Sequence, residues 1–193
     1  KIIAEKAAKH LTPITLELGG KSPCVVDSNI DIDKVAKRIV SGKFVNCGQT
    51  CIAPDYIVVN KHVKRELIST LKKNIISTFG DKPIKSDSYG RIINKNNLLR
   101  LKENLYDQNI EYGGKIDEKN LYLEPTLIIE PDLNSEIMKE EIFGPILPIL
   151  SYDNENDLNN ILKTNPSPLA FYIFSNNQKF IDNLIDSNKF GGC

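Results

Sequence analysis

The sequence predicts an α/β protein built on a mostly parallel, twisted sheet with crossover helices. Three observations predict it. Short runs rich in β-branched and aromatic residues, such as "YIVVN" at 56–60, read as buried strands. Between them lie stretches whose apolar residues recur at three- and four-residue spacing, the pattern of helices that lay one face on a sheet. The two kinds alternate through most of the chain, with no internal repeat or low-complexity linker, and such alternation implies parallel strands joined by helical crossovers.

Taken in order, "KIIAEKAAKH" reads as a helix, and "ITLEL" (14–18) alternates like a strand that stops at Gly19-Gly20. "PCVVD" (23–27) is a second short strand. Asp31 can cap a helix that carries Ile32, Val35, Ile39 and Phe44 on one face and runs into the region of Cys47. "YIVVN" follows. Residues 62–79 place Leu67, Ile68, Leu71, Ile75 and Phe79 on a stripe that Gly80 closes. Leu98, Leu101 and Leu105 mark another helix. "LYLEPTLII" (121–129) is extended, with Pro125 favouring an edge or a bulge. "ILPILSY" (146–152) is a strand, 154–164 a helix, and "LAFYIFS" (169–175) a strongly apolar strand. Ser175 with Gln178 forms a capping box for a last helix through Leu184.

At 193 residues the chain is one domain, or one and a fraction, and is long enough to bury a core. Lys plus Arg and Asp plus Glu both number 25, and no basic run is dense enough for a nucleic-acid footprint. No segment approaches the roughly 18 consecutive apolar residues of a membrane span. Glu5, Lys6 and Lys9 interrupt the first ten residues, so they are not a signal peptide. The chain lacks an initiating Met and ends "NKFGGC", so a piece of a longer protein is expected. Cys24, Cys47, Cys51 and Cys193 have no framework spacing, which fits a reducing compartment and a cytoplasmic location.

The stretch "GKFVNCGQTCIAPDYIVV" (42–59) holds the informative pair, Cys47 and Cys51. As a metal clip it lacks two ligands, since the only histidines, His10 and His62, are far away in sequence. No metal site is therefore expected. A disulfide across this spacing is geometrically awkward and at odds with a reducing compartment. Either cysteine alone reads first as a small buried hydrophobe. Cys51 differs in its setting: it follows a polar Gly-Gln-Thr turn and precedes Ala-Pro before a buried strand, near a strand terminus where reactive groups are common. Spacing leaves the nucleophile and the buried hydrophobe both open, because a reactive thiolate also needs a partner or field.

"LTPITLELGGKSP", "GKFVNCGQTCIAPDY", "EEIFGPILPI" and "PLAFYIFS" together resemble the aldehyde dehydrogenase superfamily, class 3, the fatty and aromatic aldehyde branch. The blocks occur in the family's order over nearly the whole chain. Asp55-Tyr56 after Ala53-Pro54 and the "PLAFYIFS" strand carry the class-3 likeness. The resemblance implies that residues 1–19 are the C-terminal end of a Rossmann-like coenzyme-binding domain and 20–193 a catalytic domain incomplete at its C-terminus.

The resemblance further implies roles. Cys51 is the nucleophile, forming a thiohemiacetal and then a thioester. Glu17 activates the hydrolytic water as general base. Glu141 binds the nicotinamide-ribose hydroxyls, and Phe143 packs near the ring. The oxyanion meets the Cys51 N–H and an Asn from an upstream segment; Asn46 does not match that block. Cys47 is a neighbour without a chemical role, and Lys21 is structural. The coenzyme is NAD or NADP, held mainly by segments outside this chain, so these residues alone should be inactive as a dehydrogenase. The substrate is a small-molecule aldehyde, medium- to long-chain aliphatic or aromatic. The full-length protein is a homodimer by the same likeness, and a membrane-anchoring tail beyond the chain stays open. The rival readings are a thiol esterase or acyltransferase using Cys51 and Glu17, and a non-catalytic paralogue serving as a subunit.

Overall fold

The computed structural model describes residues 1–193. A six-stranded sheet runs in the order β3-β6-β7-β2-β1-β8. Its members are β1 (Pro23–Val26), β2 (Tyr56–Asn60), β3 (Ile110–Tyr112), β6 (Thr126–Ile129), β7 (Ile146–Tyr152) and β8 (Tyr172–Phe174). Five of these strands are mutually parallel, and only the edge strand β3 runs antiparallel, against β6. The mostly parallel α/β sheet is therefore as the sequence predicts. A separate two-stranded ribbon joins β4 (Ile116–Asp117) to β5 (Tyr122–Leu123).

Seven α-helices complete the chain: α1 (Ile2–Ala8), α2 (Ile32–Phe44), α3 (Lys64–Phe79), α4 (Lys95–Glu103), α5 (Glu136–Lys139), α6 (Glu155–Lys163) and α7 (Gln178–Ser187). Asp31 caps α2 as expected, its carboxylate accepting from the Lys34 N–H at 3.0 Å. Gly80 ends α3 with φ 77°, a conformation that favours a residue without Cβ. Helices α2 and α3 pack together, and their apolar stripes join the strands in one core of 39 buried residues.

Four expectations are corrected. "ITLEL" forms no strand: residues 12–22 are irregular, and Leu16 and Leu18 are exposed. Its alternation supplies an apolar face, but no strand in this chain pairs with its backbone, and an unpaired extended segment has no ladder to hold it. The Ser175–Gln178 capping box is not made. Asn177 caps α7 by accepting from the Phe180 N–H at 3.2 Å, while the Ser175 hydroxyl donates to Asp27 at 2.5 Å. Pro125 lies between β5 and β6, and β6 is internal to the sheet; the irregularity in register falls opposite, between Ile110 and Tyr112 of β3. The predicted strand "LAFYIFS" shrinks to three residues, preceded by a single bridge from Ala170 to Gly192.

Candidate active site

Every chemical motif of the sequence immediately precedes a parallel strand. Residues 17–22 lead into β1, 45–55 into β2 and 140–145 into β7. Parallel strands start at one edge of their sheet, so these three segments converge there. That edge is the N-terminal one, opposite to the carboxyl edge where open α/β sheets usually bind ligands.

The loop carrying Cys51 is heavily clamped. After α2 the chain turns through Asn46 (φ 50°), Cys47 (φ 55°) and Gly48 (φ 70°), all left-handed. Gly48 is required on two counts, because a Cβ there would also sit 2.4 Å from the Gly144 carbonyl oxygen. The loop thus abuts the Phe143-Gly144 turn. Gln49 then fastens it to the segment after η2 (Pro83–Lys85). Its Nε2 donates to the Asn46 and Arg91 carbonyls, both at 3.0 Å, and its Oε1 accepts from the Ile93 N–H at 2.9 Å. Beyond Cys51, the Tyr172 hydroxyl of β8 donates to the Ile52 carbonyl at 2.5 Å, and the Ala53 N–H closes the turn on Thr50 O.

The two cysteines part company in this loop. Cys47 is 1% exposed, and burial pushes its thiol up to about 11, partly offset by the Tyr89 hydroxyl and Arg91. Cys51 is exposed at the tip. Its backbone N–H makes no hydrogen bond within the chain. Both are free thiols, with no disulfide between them.

Glu141 and the double glycine form the second half of the site. A Cβ on Gly19 would lie 2.4 Å from Glu141 Oε2, so the carboxylate occupies the space that glycine leaves free. Burial and then the Asp55 charge push the Glu141 carboxyl above the usual carboxylate range; the Gly20 amide, Lys21 and Lys43 act against them. Phe143, φ 47°, is 42% exposed. Gly19, Gly20, Glu141, Phe143, Arg100 and Asn165 line an open cleft of about 710 Å³. Glu17 is placed differently. It is exposed on the irregular segment, and no hydrogen bond joins it to Cys51.

A buried knot ties the three segments together. Lys21 is ion-paired to Asp55 and donates to the carbonyls of Ile137 (2.8 Å) and Glu140 (2.9 Å), which supports its structural reading. Asp55 in turn accepts from the Ile142 N–H at 2.9 Å, and Arg100 donates to Ile142 O at 2.7 Å. Sequence reasoning missed Asp55, Gln49, Arg100 and Tyr172 as parts of this scaffold. Only the polarity of Gln49 and Asp55 between apolar runs hinted at them.

The family model for the "Aldehyde dehydrogenase family" matches residues 1–193. Mouse aldehyde dehydrogenase family 3 member A2 is 47% identical over 192 residues, covering 100% of this chain and 40% of the relative. The rat "aldehyde dehydrogenase, dimeric NADP-preferring" is 43% identical over 192 residues, covering 100% and 42%. Among solved structures, the substrate-bound state of Staphylococcus aureus AldH superposes with a TM-score of 0.95 at 42% identity, covering 99% of this chain and 42% of the other. The chain therefore spans about two-fifths of the length of these relatives. A full-length family match, together with a clamped Cys51 loop set against the Glu141 turn in the fold of a solved relative, establishes that the chain belongs to the aldehyde dehydrogenase family.

Proposed function

We propose that the protein carrying this chain oxidises aldehydes to carboxylic acids with NAD or NADP, using Cys51 as nucleophile. The observation that carries the reading is the exposed Cys51 thiol on a rigidly clamped loop whose Gly48 packs against the Phe143-Gly144 turn. The Cys51 thiolate attacks the aldehyde carbon, forming a C–S bond, and the oxygen takes the negative charge. The uncommitted Cys51 N–H is a suitable donor to that oxyanion. Bound NAD(P) supplies a hydride acceptor. Water then cleaves the acyl–sulfur bond, restoring the thiolate and releasing the acid. Glu17, exposed and free to turn, takes the proton of that water.

The residues present fit the coenzyme's ribose. Glu141 is a half-buried carboxylate on a cleft, and the bare Gly19 lets it approach the backbone. Phe143, exposed beside it, offers a ring to pack on the nicotinamide. We assign residues 1–19 to the end of a coenzyme-binding unit, because α1 buries no residue and the segment after it stays outside the core. Residues 20–193 belong to the catalytic unit.

The class-3 likeness favours medium- or long-chain aliphatic or aromatic aldehydes, and the rat relative's name favours a dimer. Four cysteines without a disulfide accord with a cytoplasmic site of action. No helix is long and apolar enough to cross a membrane. The test is aldehyde-dependent NADH or NADPH formation by the full-length protein, with Cys51→Ser as control. Loss of turnover by about a thousandfold or more is expected for a missing nucleophile. An unaffected rate in Cys51→Ser would overturn the reading.

A further inference from the structure

Between the two side chains assigned to the coenzyme, Glu141 and Phe143, stands Ile142, whose own side chain is fully buried. Neither its N–H nor its carbonyl pairs with backbone elsewhere. Buried peptide groups need partners, and here charged side chains supply both. Asp55 Oδ1 accepts from the Ile142 N–H at 2.9 Å, and Arg100 Nη2 donates to the Ile142 carbonyl at 2.7 Å. Asp55 precedes β2 and Arg100 lies in α4, so the two grips come from separate parts of the chain.

The two grips do different things. The Ile142 N–H belongs to the peptide plane shared with Glu141, and the Ile142 carbonyl to the plane shared with Phe143. Turning the second plane changes ψ of Ile142 and φ of Phe143 together. Phe143 has φ 47°, in the left-handed region that a residue with a Cβ enters reluctantly and keeps only where its surroundings over-determine it. Helix α4 constrains this turn at two consecutive residues. Arg100 holds the carbonyl, and Leu101 packs so close that its Cδ2 would lie 2.5 Å from a Cβ on Gly144. Arg100 is half-buried on the same cleft as Glu141 and Phe143, and the Ile142 carbonyl is the one group its guanidinium bonds within the chain.

We propose that Arg100 is a positioning residue for coenzyme binding: by holding the Ile142 carbonyl it keeps Phe143 left-handed and its ring turned to the cleft, where the nicotinamide packs. The inference rests on the coenzyme role given to Phe143 above. Without the guanidinium the carbonyl loses its partner, and the peptide between Ile142 and Phe143 is free to rotate. Phe143 then relaxes toward ordinary φ and its ring leaves the coenzyme's path. Glu141 is affected less, because Asp55 still holds the peptide on its side.

The experiment measures NAD(P)H binding by fluorescence and ADP binding by calorimetry in the full-length protein. ADP carries the adenosine diphosphate half of the coenzyme and lacks the nicotinamide. Arg100→Met should weaken NAD(P)H binding about five- to tenfold, the effect of misplacing one good contact, and leave ADP binding unchanged. Arg100→Lys keeps a donor and should fall between that variant and the unmodified protein. Phe143→Ala alone should weaken NAD(P)H binding, and adding Arg100→Met to it should cost little more, because the ring to be positioned is gone. Additive effects mean that Arg100 touches the coenzyme itself, and equal weakening of NAD(P)H and ADP in either Arg100 variant means a general loosening of the site. Either result overturns the proposal, as does unchanged NAD(P)H binding in Arg100→Met. Normal NAD(P)H binding in Phe143→Ala overturns the role of Phe143 and the inference with it. Turnover separates the inference from the reaction. Aldehyde oxidation by the unmodified protein with normal coenzyme binding in Arg100→Met sinks the inference alone. Coupling between Arg100 and Phe143 without any aldehyde oxidation sinks the reaction alone.

Discussion

Glu141 fills the space that Gly19 leaves open: a Cβ on Gly19 would stand 2.4 Å from Glu141 Oε2. That distance is far below any tolerated contact, so a side chain at 19 must push the carboxylate away. Gly19→Ala is predicted to weaken NAD(P)H binding about tenfold, the cost of one well-made polar contact. The thermal midpoint should barely move, because residues 12–19 lie outside the core. Coenzyme titration with a melting curve on the same sample checks both halves.

Gln49 is predicted to matter for geometry more than for chemistry. Its amide makes three hydrogen bonds, one within the loop to the Asn46 carbonyl and two that join the Cys51 loop to Arg91 and Ile93. Gln49→Ala leaves those backbone groups dependent on water and frees the loop, at a cost of about 1–3 kcal/mol. Turnover should fall at least tenfold, while coenzyme affinity changes little. Stopped-flow alkylation of Cys51 by iodoacetamide, together with the coenzyme Kd, distinguishes this from a collapsed site.

Tyr172 reaches the same loop from the other side. Its hydroxyl donates to the Ile52 carbonyl at 2.5 Å, next to Cys51. Tyr172→Phe keeps the ring and removes one bond, so about 1 kcal/mol of local stability is expected to go. A several-fold drop in turnover with an unchanged global midpoint is the expected outcome. An unchanged rate would mean that the loop is held by Gln49 alone.

Much of this arrangement was legible in the sequence, and the failures have one physical cause. Elements whose partners lie within the chain declared themselves: the cap at Asp31, the stripe closed by Gly80, and the apolar runs of β2 and β7. "ITLEL" has the same alternation but nothing to pair with, and a periodic pattern cannot report the absence of a neighbouring strand. The motif residues Cys51, Glu141 and Phe143 were found by resemblance; their convergence follows from topology, since each precedes a parallel strand. The pairing of Asp55 with Lys21 carries no local signal, because contact between residues 34 apart in the chain is set by that topology alone. Spacing alone left Cys47 and Cys51 alike; the setting of Cys51 and the resemblance told them apart, and the structure adds that Cys47 is buried and Cys51 exposed.

Breaking the Lys21–Asp55 pair should be the most damaging change outside the nucleophile. Asp55→Asn strands a buried ammonium and weakens the support of the Ile142 N–H, with an expected loss of about 3–5 kcal/mol. Replacing both members with apolar residues should recover part of the stability, though not the alignment of the three segments. A double-mutant cycle in thermal midpoints, read beside turnover, would show stability and activity responding differently.

Lys43 makes a prediction about the pH dependence of folding whose sign can be worked out. Its folded pKa, about 8, lies below the ordinary 10.5, so between those values the unfolded chain binds more protons than the folded one. Stability contributed at this site must then rise with pH across that window, recovering about 3 kcal/mol that the buried charge costs below it. Cys47 opposes this. Its thiol is pushed from 9.0 up to about 11, so the unfolded chain loses that proton first, and stability falls as pH climbs between those values. The total curve mixes both, and only a difference isolates Lys43. Melting Lys43→Met and the unmodified protein from pH 7 to 10 should show the variant more stable at pH 7 and the gap closing above pH 8. A gap that stays constant with pH would mean that the ammonium is not buried in the charged state.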